Sequence, residues 1–582
     1  MDTKSFYGSK HKSIKTTTIE ETVDVINLLE SSIVTILPPE SGDQNIPSDE
    51  EDYEQQNDLG IFEPAGTMEV EYASSSDEED VSQPVSIRDT PKWKKNNTFT
   101  KLIEPKDMPL TLDEKFPELI NKSCYEIWKL FFTEEMLIYL VEQTELYAHR
   151  DKNDNNFKTS KEIIAQFIGI IIFSGYHFVT SEKDYWSNQP DLRVSFVADI
   201  MSRDTFFKIK KYFHVADNLN LEKGNKVAKV SLLYRLLNER LSKWGVFHKQ
   251  LSIDESMVPY YGKHSAKMYI KGKPIRFGYK IWSLCGYDGY PYKMTIYTGK
   301  DATRRTEEPL GHQVVLDLLN VVDDKSFPQC HEIYFDNFFT SQKLLEKLAD
   351  KEFISVGTIR ENRTGGATAR MKSNKVIKKE GRGSFDYRSN GNVFICKWND
   401  NSIVNIGSNF YTHEPVNKTK RWVKGKGKVD VTQPHLIKLY NEGMGGVDLM
   451  DRLCGSYRPM IRSKKWWWPL MINVINVSLV AAWKFYSTLH KDDKKSISHL
   501  DFRREVVLVL TKSGDSRTTN RGGKHADLPA EVRYDGTGHE TASCTQGRCV
   551  VCFKNTRHQC KKCNVRLHYS KGTKCFINYH KE

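Results

Sequence analysis

Leu251-Ser252-Ile253-Asp254-Glu255 is an apolar, β-favouring run that ends in carboxylates, and its reading decides the fold. Glu332-Ile333-Tyr334-Phe335-Asp336-Asn337 repeats the pattern, so Asp254 and Asp336 are both expected at the rim of a sheet. Asp336 is followed by Asn337-Phe338-Phe339-Thr340-Ser341 and the helical pattern Leu344, Leu345, Leu348, which sets it where strand gives way to helix. A third aspartate, Asp448 in Gly445-Gly446-Val447-Asp448-Leu449-Met450-Asp451, follows a glycine turn and opens a segment of helical period. Asp451 lies three residues on, and i,i+3 positions share a helix face. A lone Asp after a strand is ordinarily a turn or capping residue. Three at one sheet edge would repel strongly unless divalent cations sat between them, so the pattern predicts bound Mg²⁺ or Mn²⁺. Two such ions about 3.5–4 Å apart are the device for in-line displacement at phosphorus, which predicts an enzyme that cuts phosphodiesters.

At 582 residues the chain is too long for one ordinary core. Its net charge of +11 conceals an asymmetry: residues 1–90 hold 5 basic and 21 acidic side chains, a net −16, while the remainder carries a net +27. A body this basic is expected to bind a polyanion, with nucleic acid the obvious one. No signal-peptide pattern opens the sequence and no run of 18 apolar residues occurs; Ile163 to Phe173 and Leu470 to Trp483 read as buried helices. Six of the eleven cysteines lie after residue 540 at metal-ligand spacing, which points to a reducing compartment and a zinc site rather than a disulfide framework.

Residues 1–105 are acidic and aperiodic, with Ser74-Ser75-Ser76-Asp77-Glu78-Glu79-Asp80 at their centre, and are expected to be disordered. Lys92-Trp93-Lys94-Lys95 is a candidate nuclear signal. Helical periodicity fills 106–247, strands alternate with a helix over 248–362, and Ser384 to Tyr387, Val393 to Trp398 and Ser402 to Gly407 are short β runs separated by hairpin signals. These runs place a β-rich insertion at 363–430 between the second and third aspartates. Helical pattern returns from about 435 through 510, which divides into the last part of the aspartate-bearing domain at 431–455 and a second helical segment at 456–512, and a linker at 513–535 leads to a Cys/His-rich module at 536–582. There Cys549-x-x-Cys552, Cys560-x-x-Cys563, His568, Cys575 and His580 supply seven ligands, and two zinc ions need an eighth. His539 is the best candidate, with His558 and Cys544 as rivals.

These residues carry a resemblance. Ser252 to Pro259, Lys271-Gly272-Lys273-Pro274-Ile275-Arg276-Phe277-Gly278-Tyr279-Lys280, Asp336 to Ser341, Lys397-Trp398-Asn399-Asp400-Asn401, Met444 to Asp451 and the Cys/His tail resemble the piggyBac transposase family from about residue 105 onward. The resemblance implies an α/β fold: a ribonuclease-H-like catalytic core with a β-rich insertion, flanking helical DNA-binding and dimerisation segments, and a C-terminal cross-brace zinc domain. Asp254, Asp336 and Asp448 match the family's catalytic triad and Asp451 its additional acidic position. His539, Cys549, Cys552, Cys560, Cys563, His568, Cys575 and His580 match its zinc ligands. It further implies a homodimer in the nucleus that binds double-stranded DNA at transposon terminal repeats and at a TTAA target, and that excises and integrates through hairpin ends. Candidate phosphate contacts are Arg276, Lys280, Arg360, Arg458, Arg462, Lys464 and Lys465. Three consecutive tryptophans cannot all face one core, so of Trp466-Trp467-Trp468 at least one, with Trp466 the first candidate, is expected to stack on an unpaired base. The alternative reading is a domesticated, transposase-derived DNA-binding or chromatin protein without transposition activity.

Overall fold

The computed structural model describes residues 92–581 apart from 101–102, 108–110, 188, 190–191, 246, 271–272, 274, 300–307, 324–325, 424, 426, 492–496, 513–529 and 571, together with the backbone of 13–16, 32–36 and 68–72. The chain divides into two compact units, one of residues 1–115 with 238–453 and one of 116–237 with 454–582.

The first unit is built on one mixed sheet. Its strands are β1 (Ser13–Thr16), β2 (Ser32–Ile36), β3 (Met68–Tyr72), β4 (Gln250–Pro259), β5 (Met268–Ile270), β6 (Phe277–Gly286), β7 (Pro291–Ile296), β8 (Glu332–Phe335), β9 (Ile354–Thr358), β10 (Phe385–Ser389), β11 (Phe394–Asn399) and β12 (Ile403–Ser408). They run in the order β1-β3-β2-β5-β6-β4-β8-β9-β12-β11-β10, with β7 on β6. β6 and β8 are buried along nearly their whole length, as central strands must be. β4 pairs antiparallel with β6 but parallel with β8, and β8 is parallel to β9. Parallel neighbours require a crossover, and the chain supplies the helices Leu310–Asp323 before β8 and Gln342–Asp350 after it. The second is capped by Ser341, whose hydroxyl accepts from the Leu344 amide at 3.1 Å.

The β runs expected at 384–407 form, but they do not make a separate sheet. β12 pairs antiparallel with β9, Gly407 opposite Gly357, and so carries β11 and β10 onto the edge of the central sheet. A further pair, β13 (Asn417–Val423) and β14 (Gly427–Gln433), stands as its own two-stranded ribbon.

Disorder over 1–105 does not hold throughout. Trp93 is buried and its indole donates to the Gly365 carbonyl at 2.7 Å, Lys94 bridges to Ser389, and Ile103 packs against Ala349 and Ile354. An indole and a branched aliphatic chain give this part of the segment enough apolar surface to dock. Further upstream, β2 pairs with β5 and with β3, and β3 with β1. Ser74 to Ser76 lie outside the described residues, as does most of the 513–535 linker.

The second unit is helical with a small β module at its C-terminal end. Ser123 and Glu126 form a reciprocal cap on the helix Cys124–Phe131. The apolar runs noted above become the helices Lys161–Phe173 and Trp468–Leu489, both mostly buried, so their apolarity is used in the core. Trp128 of the helix Cys124–Phe131 donates to Ser478 of Trp468–Leu489 at 3.0 Å, which satisfies the indole where these two helices meet. β15 (Thr541–Arg548), β16 (Asn555–Cys560) and β17 (Val565–Arg566) form the terminal module.

Candidate active site and metal centres

The register of the parallel pair brings the first two aspartates together. Ile253 lies opposite Phe335 at the last paired position of β8, so Asp254 and Asp336 follow on adjacent strands about 4.8 Å apart. Asp254 accepts from the Glu255 amide at 2.8 Å. Asp336 caps its own turn, its carboxylate accepting from the Phe338 amide at 2.9 Å while its carbonyl accepts from the Thr340 hydroxyl at 2.7 Å. The third aspartate is delivered by close packing. A Cβ added at Gly446 would meet the Gly286 carbonyl oxygen at 2.3 Å and the Ser252 hydroxyl at 2.6 Å, so only glycine lets the helix Gly446–Ser456 start against β4 and β6. Asp448 sits in the first turn of that helix, exposed, with Asp451 half-buried one turn on. Tyr440 lies within electrostatic reach of Asp336, Asp254 and Asp448; burial, with those charges added, pushes its hydroxyl up to about 12.

Two lysines and a fourth carboxylate complete the cluster. Glu255 lies 3.2 Å from the Lys273 ammonium and 4.0 Å from that of Lys280. Lys280 is itself buried, 3.9 Å from the Trp282 ring centroid, so it faces the carboxylates and the indole rather than the surface. Burial and the neighbouring Glu255 charge push Asp254 up to about 8. Burial also raises Asp336, whereas Lys280 and Lys273 outweigh the burial of Glu255 and pull it below its usual range. The sheet edge therefore concentrates carboxylates that are uncomfortable without a cation, and an all-oxygen donor set suits Mg²⁺ or Mn²⁺. Among the described residues the three aspartates do not gather with all their ligand oxygens within 4.8 Å of one another. Sequence pattern alone does not mark Glu255 and Lys273 as site residues; the signal they offer is their place beside Asp254 and Arg276.

The remaining candidate DNA contacts separate. Arg276 is exposed and Arg360 half-buried in the first unit. In the second unit Arg462 and Lys464 are exposed and Arg458 is half-buried. Lys465 is corrected: 3% exposed, it donates to the carbonyls of Lys210 at 3.0 Å, Lys211 at 2.9 Å and Phe213 at 3.0 Å. These are orphan acceptors at the end of the helix Arg203–Tyr212, so the ammonium caps a helix and is not available to phosphate. Trp467 and Trp468 are buried and Trp466 is half-buried.

The Cys/His tail gathers into two groups of four, His539 with Cys560, Cys563 and His580, and Cys549 with Cys552, His568 and Cys575, each with its ligand atoms within 4.8 Å. The groups interleave along the chain. His539 Nδ1 is 3.5 Å from Cys560 Sγ and 3.4 Å from Cys563 Sγ, and Cys552 Sγ is 3.2 Å from His568 Nδ1. Bonds of about 2.0–2.3 Å to a tetrahedral ion give spacings of this size. The other ring nitrogens are held by oxygen: His539 Nε2 by Asp535 at 3.0 Å, His568 Nε2 by the Asn555 carbonyl at 3.0 Å, and His580 Nδ1 by the Phe576 carbonyl at 2.8 Å. Such partners fix the tautomer in which the inward nitrogen is a free ligand. His558 and Cys544 fall outside both groups.

A mixed sheet with aspartates on adjacent strand ends and a third on an incoming helix defines a class that the comparisons identify. A sequence profile described as transposase IS4 matches residues 123–483, and the chain is of the transposase class. It is 35% identical to human piggyBac transposable element-derived protein 3 over 84% of this chain and 81% of that protein, and 34% identical to human piggyBac transposable element-derived protein 2 over 80% and 77%. It is 33% identical over 98% of its length to the human chimeric ERCC6-PGBD3 protein, of which it spans 56%. The fold is similar to a piggyBac transposase synaptic complex with hairpin DNA, with a TM-score of 0.57 and 23% identity over 68% of this chain and 82% of that one. The chain belongs to the piggyBac transposase family.

Proposed function

We propose that this protein is a metal-dependent DNA transposase of piggyBac type, which cuts at transposon ends within TTAA and rejoins the freed ends to target DNA through a hairpin. The observation that carries the reading is the approach of Asp254, Asp336 and the helix of Asp448 to one edge of the mixed sheet. Asp254, Asp336 and Asp448 would hold Mg²⁺, which supplies charge neutralisation and activation of water or of a 3′-hydroxyl when bound. The chain's own residues do the placement. Asp336 is fixed by its turn, Gly446 sets the depth of the Asp448 helix, and Asp451 adds charge on that helix. Glu255 holds Lys273 and Lys280 beside the aspartates, which tempers their repulsion before DNA arrives. Zinc at the two Cys/His groups would build the terminal module into a reader of transposon ends. Arg276, Arg360, Arg458, Arg462 and Lys464 are proposed phosphate contacts, and Trp466 a base-stacking residue. A homodimer acting in the nucleus goes with this reading. The test is excision from a donor plasmid carrying the sequences that flank the coding region, with the empty TTAA site read by sequencing.

A second reading has its own support. The curated relatives are transposable element-derived proteins, one of them a chimera, so a domesticated DNA-binding protein on the same fold is equally compatible with the family. Specific binding of the flanking ends without cleavage in Mg²⁺ would select it.

A further inference from the structure

The β13–β14 ribbon has no place in the site just described, and its two faces differ sharply. In its register Lys418 lies opposite Thr432, Lys420 opposite Asp430 and Trp422 opposite Lys428, and directly opposed residues share a face. On this face Lys418, Lys420, Lys428 and Asp430 are exposed, and Trp422 is 72% exposed. The reverse face is anchored. Val431 packs with Trp398, Phe394, Leu436 and Ile437, and the Trp398 indole donates to the Thr432 carbonyl at 2.8 Å. Asp400 accepts from Arg421 at 3.0 Å and from Arg382 at 2.5 Å, and Arg382 also donates to the carbonyl of Trp422 at 3.3 Å. The motif Lys397 to Asn401 thus acquires a purpose: it pins the backbone beneath Trp422.

A rigid ribbon that holds an indole out to solvent has a shape with few uses. A lone exposed aromatic is unremarkable; this one stands among three lysines that make no ion pair among the described residues, and the sequence from Lys418 to Lys428 contains six basic residues and no acidic one. Same-face neighbours along a strand are about 6.7 Å apart, which spaces the lysines on the scale of one nucleotide step of an extended strand. A duplex keeps its base faces stacked inside and offers an indole no partner, and an acidic peptide would engage the lysines without needing the ring. An unpaired strand presents both phosphates and open base faces. The ribbon leads through Pro434 into the helix His435–Gly443, which carries Tyr440, so the face and the aspartate edge belong to the same unit.

We propose that the outer face of the β13–β14 ribbon binds an unpaired DNA strand, with the Trp422 indole stacked on a base and Lys418, Lys420 and Lys428 on phosphates. The inference rests on the strand-cutting reading and adds where a strand freed of its complement is held. It is tested with the full chain by fluorescence anisotropy, against a labelled 20-nucleotide oligothymidylate and a random duplex of equal length. Trp422→Ala is expected to weaken oligothymidylate binding about 5- to 150-fold. Trp422→Phe should restore most of it, and duplex binding should change less than twofold. Replacing the three lysines with glutamine should flatten the salt dependence of single-strand binding by about 0.7 in logarithmic slope per contact. An unchanged unfolding midpoint for Trp422→Ala confirms that the truncation leaves the fold intact. Equal loss on duplex and single strand would overturn the proposal in favour of a plain cationic patch, and wild-type affinity in Trp422→Ala would overturn it outright. Loss of binding to a polyglutamate probe with no change on DNA would replace it with a protein partner. Cleavage of a terminal-repeat donor, assayed in parallel, keeps the two ideas apart: intact cutting with no role for Trp422 refutes the ribbon alone, whereas a wild-type chain that neither binds nor cuts DNA refutes the reading beneath it.

Discussion

Asp254→Asn should make the divalent-free protein more stable, an inversion of what truncating a buried charged group normally does. The carboxyl ordinarily titrates near 3.8, and burial with the adjacent Glu255 charge moves it to about 8 in the fold. At pH 7 the unfolded chain is therefore ionised while the folded one keeps the proton, so folding must protonate the group about 3 pH units above its ordinary pKa. At about 1.4 kcal/mol per unit the cost is bounded near 4 kcal/mol, and sharing the proton with Glu255 brings an expected gain of about 2 kcal/mol for asparagine, whose amide donates in the same direction. The sign runs with pH. Below about pH 4 both states are protonated and the variants should match; the wild type then loses ground as pH rises and the gap levels off above about 8. Thermal unfolding at pH 4, 6 and 8 without added divalent cation should show the midpoint difference growing to a few degrees. Millimolar Mg²⁺ should then narrow the gap, because the ionised carboxylate that destabilises the empty site is what the cation needs. A variant that is no more stable at pH 8 than at pH 4, relative to wild type, would refute this electrostatic picture of the site.

Lys465→Met should cost about 3 kcal/mol or more by orphaning the carbonyls of Lys210, Lys211 and Phe213, measurable as a lower unfolding midpoint that salt does not restore. Elemental analysis should find two zinc ions per chain, and His539→Ala should lose the one shared with Cys560, Cys563 and His580. Because structural zinc contributes about 10–16 kcal/mol in small modules, a chelator should unfold residues 536–582 before the sheet-bearing unit, which limited proteolysis would reveal.

Much of the site was legible because strand chemistry and turn chemistry are local. Leu251 to Asp254 and Glu332 to Asp336 announce strands that end in carboxylates, and the interleaved Cys-x2-Cys pairs announce metal spacing, down to His539. What escaped was set by distant partners. Nothing near Lys465 in sequence tells that its ammonium will cap a helix some 250 positions earlier, and a basic run with tryptophans beside it resembles a phosphate site. Glu255 and Lys273 meet only because β4 and the segment before β6 converge, so their pairing is a property of sheet register. The β runs at 384–407 were readable as strands, yet their attachment to β9 through facing glycines at 357 and 407 is a long-range event with no local signature. Trp93 sits in a basic cluster of the sequence, yet its indole packs into the first unit.

The central claim is that Asp254, Asp336 and Asp448 form one strand-cutting centre. It is tested most directly by single-turnover cleavage of a labelled duplex bearing the sequence that flanks the coding region, in Mg²⁺, with the wild type beside Asp336→Ala. The account predicts cutting by the wild type and none by the variant, which should still bind the duplex with unchanged affinity. Cleavage by Asp336→Ala at the wild-type rate would contradict it.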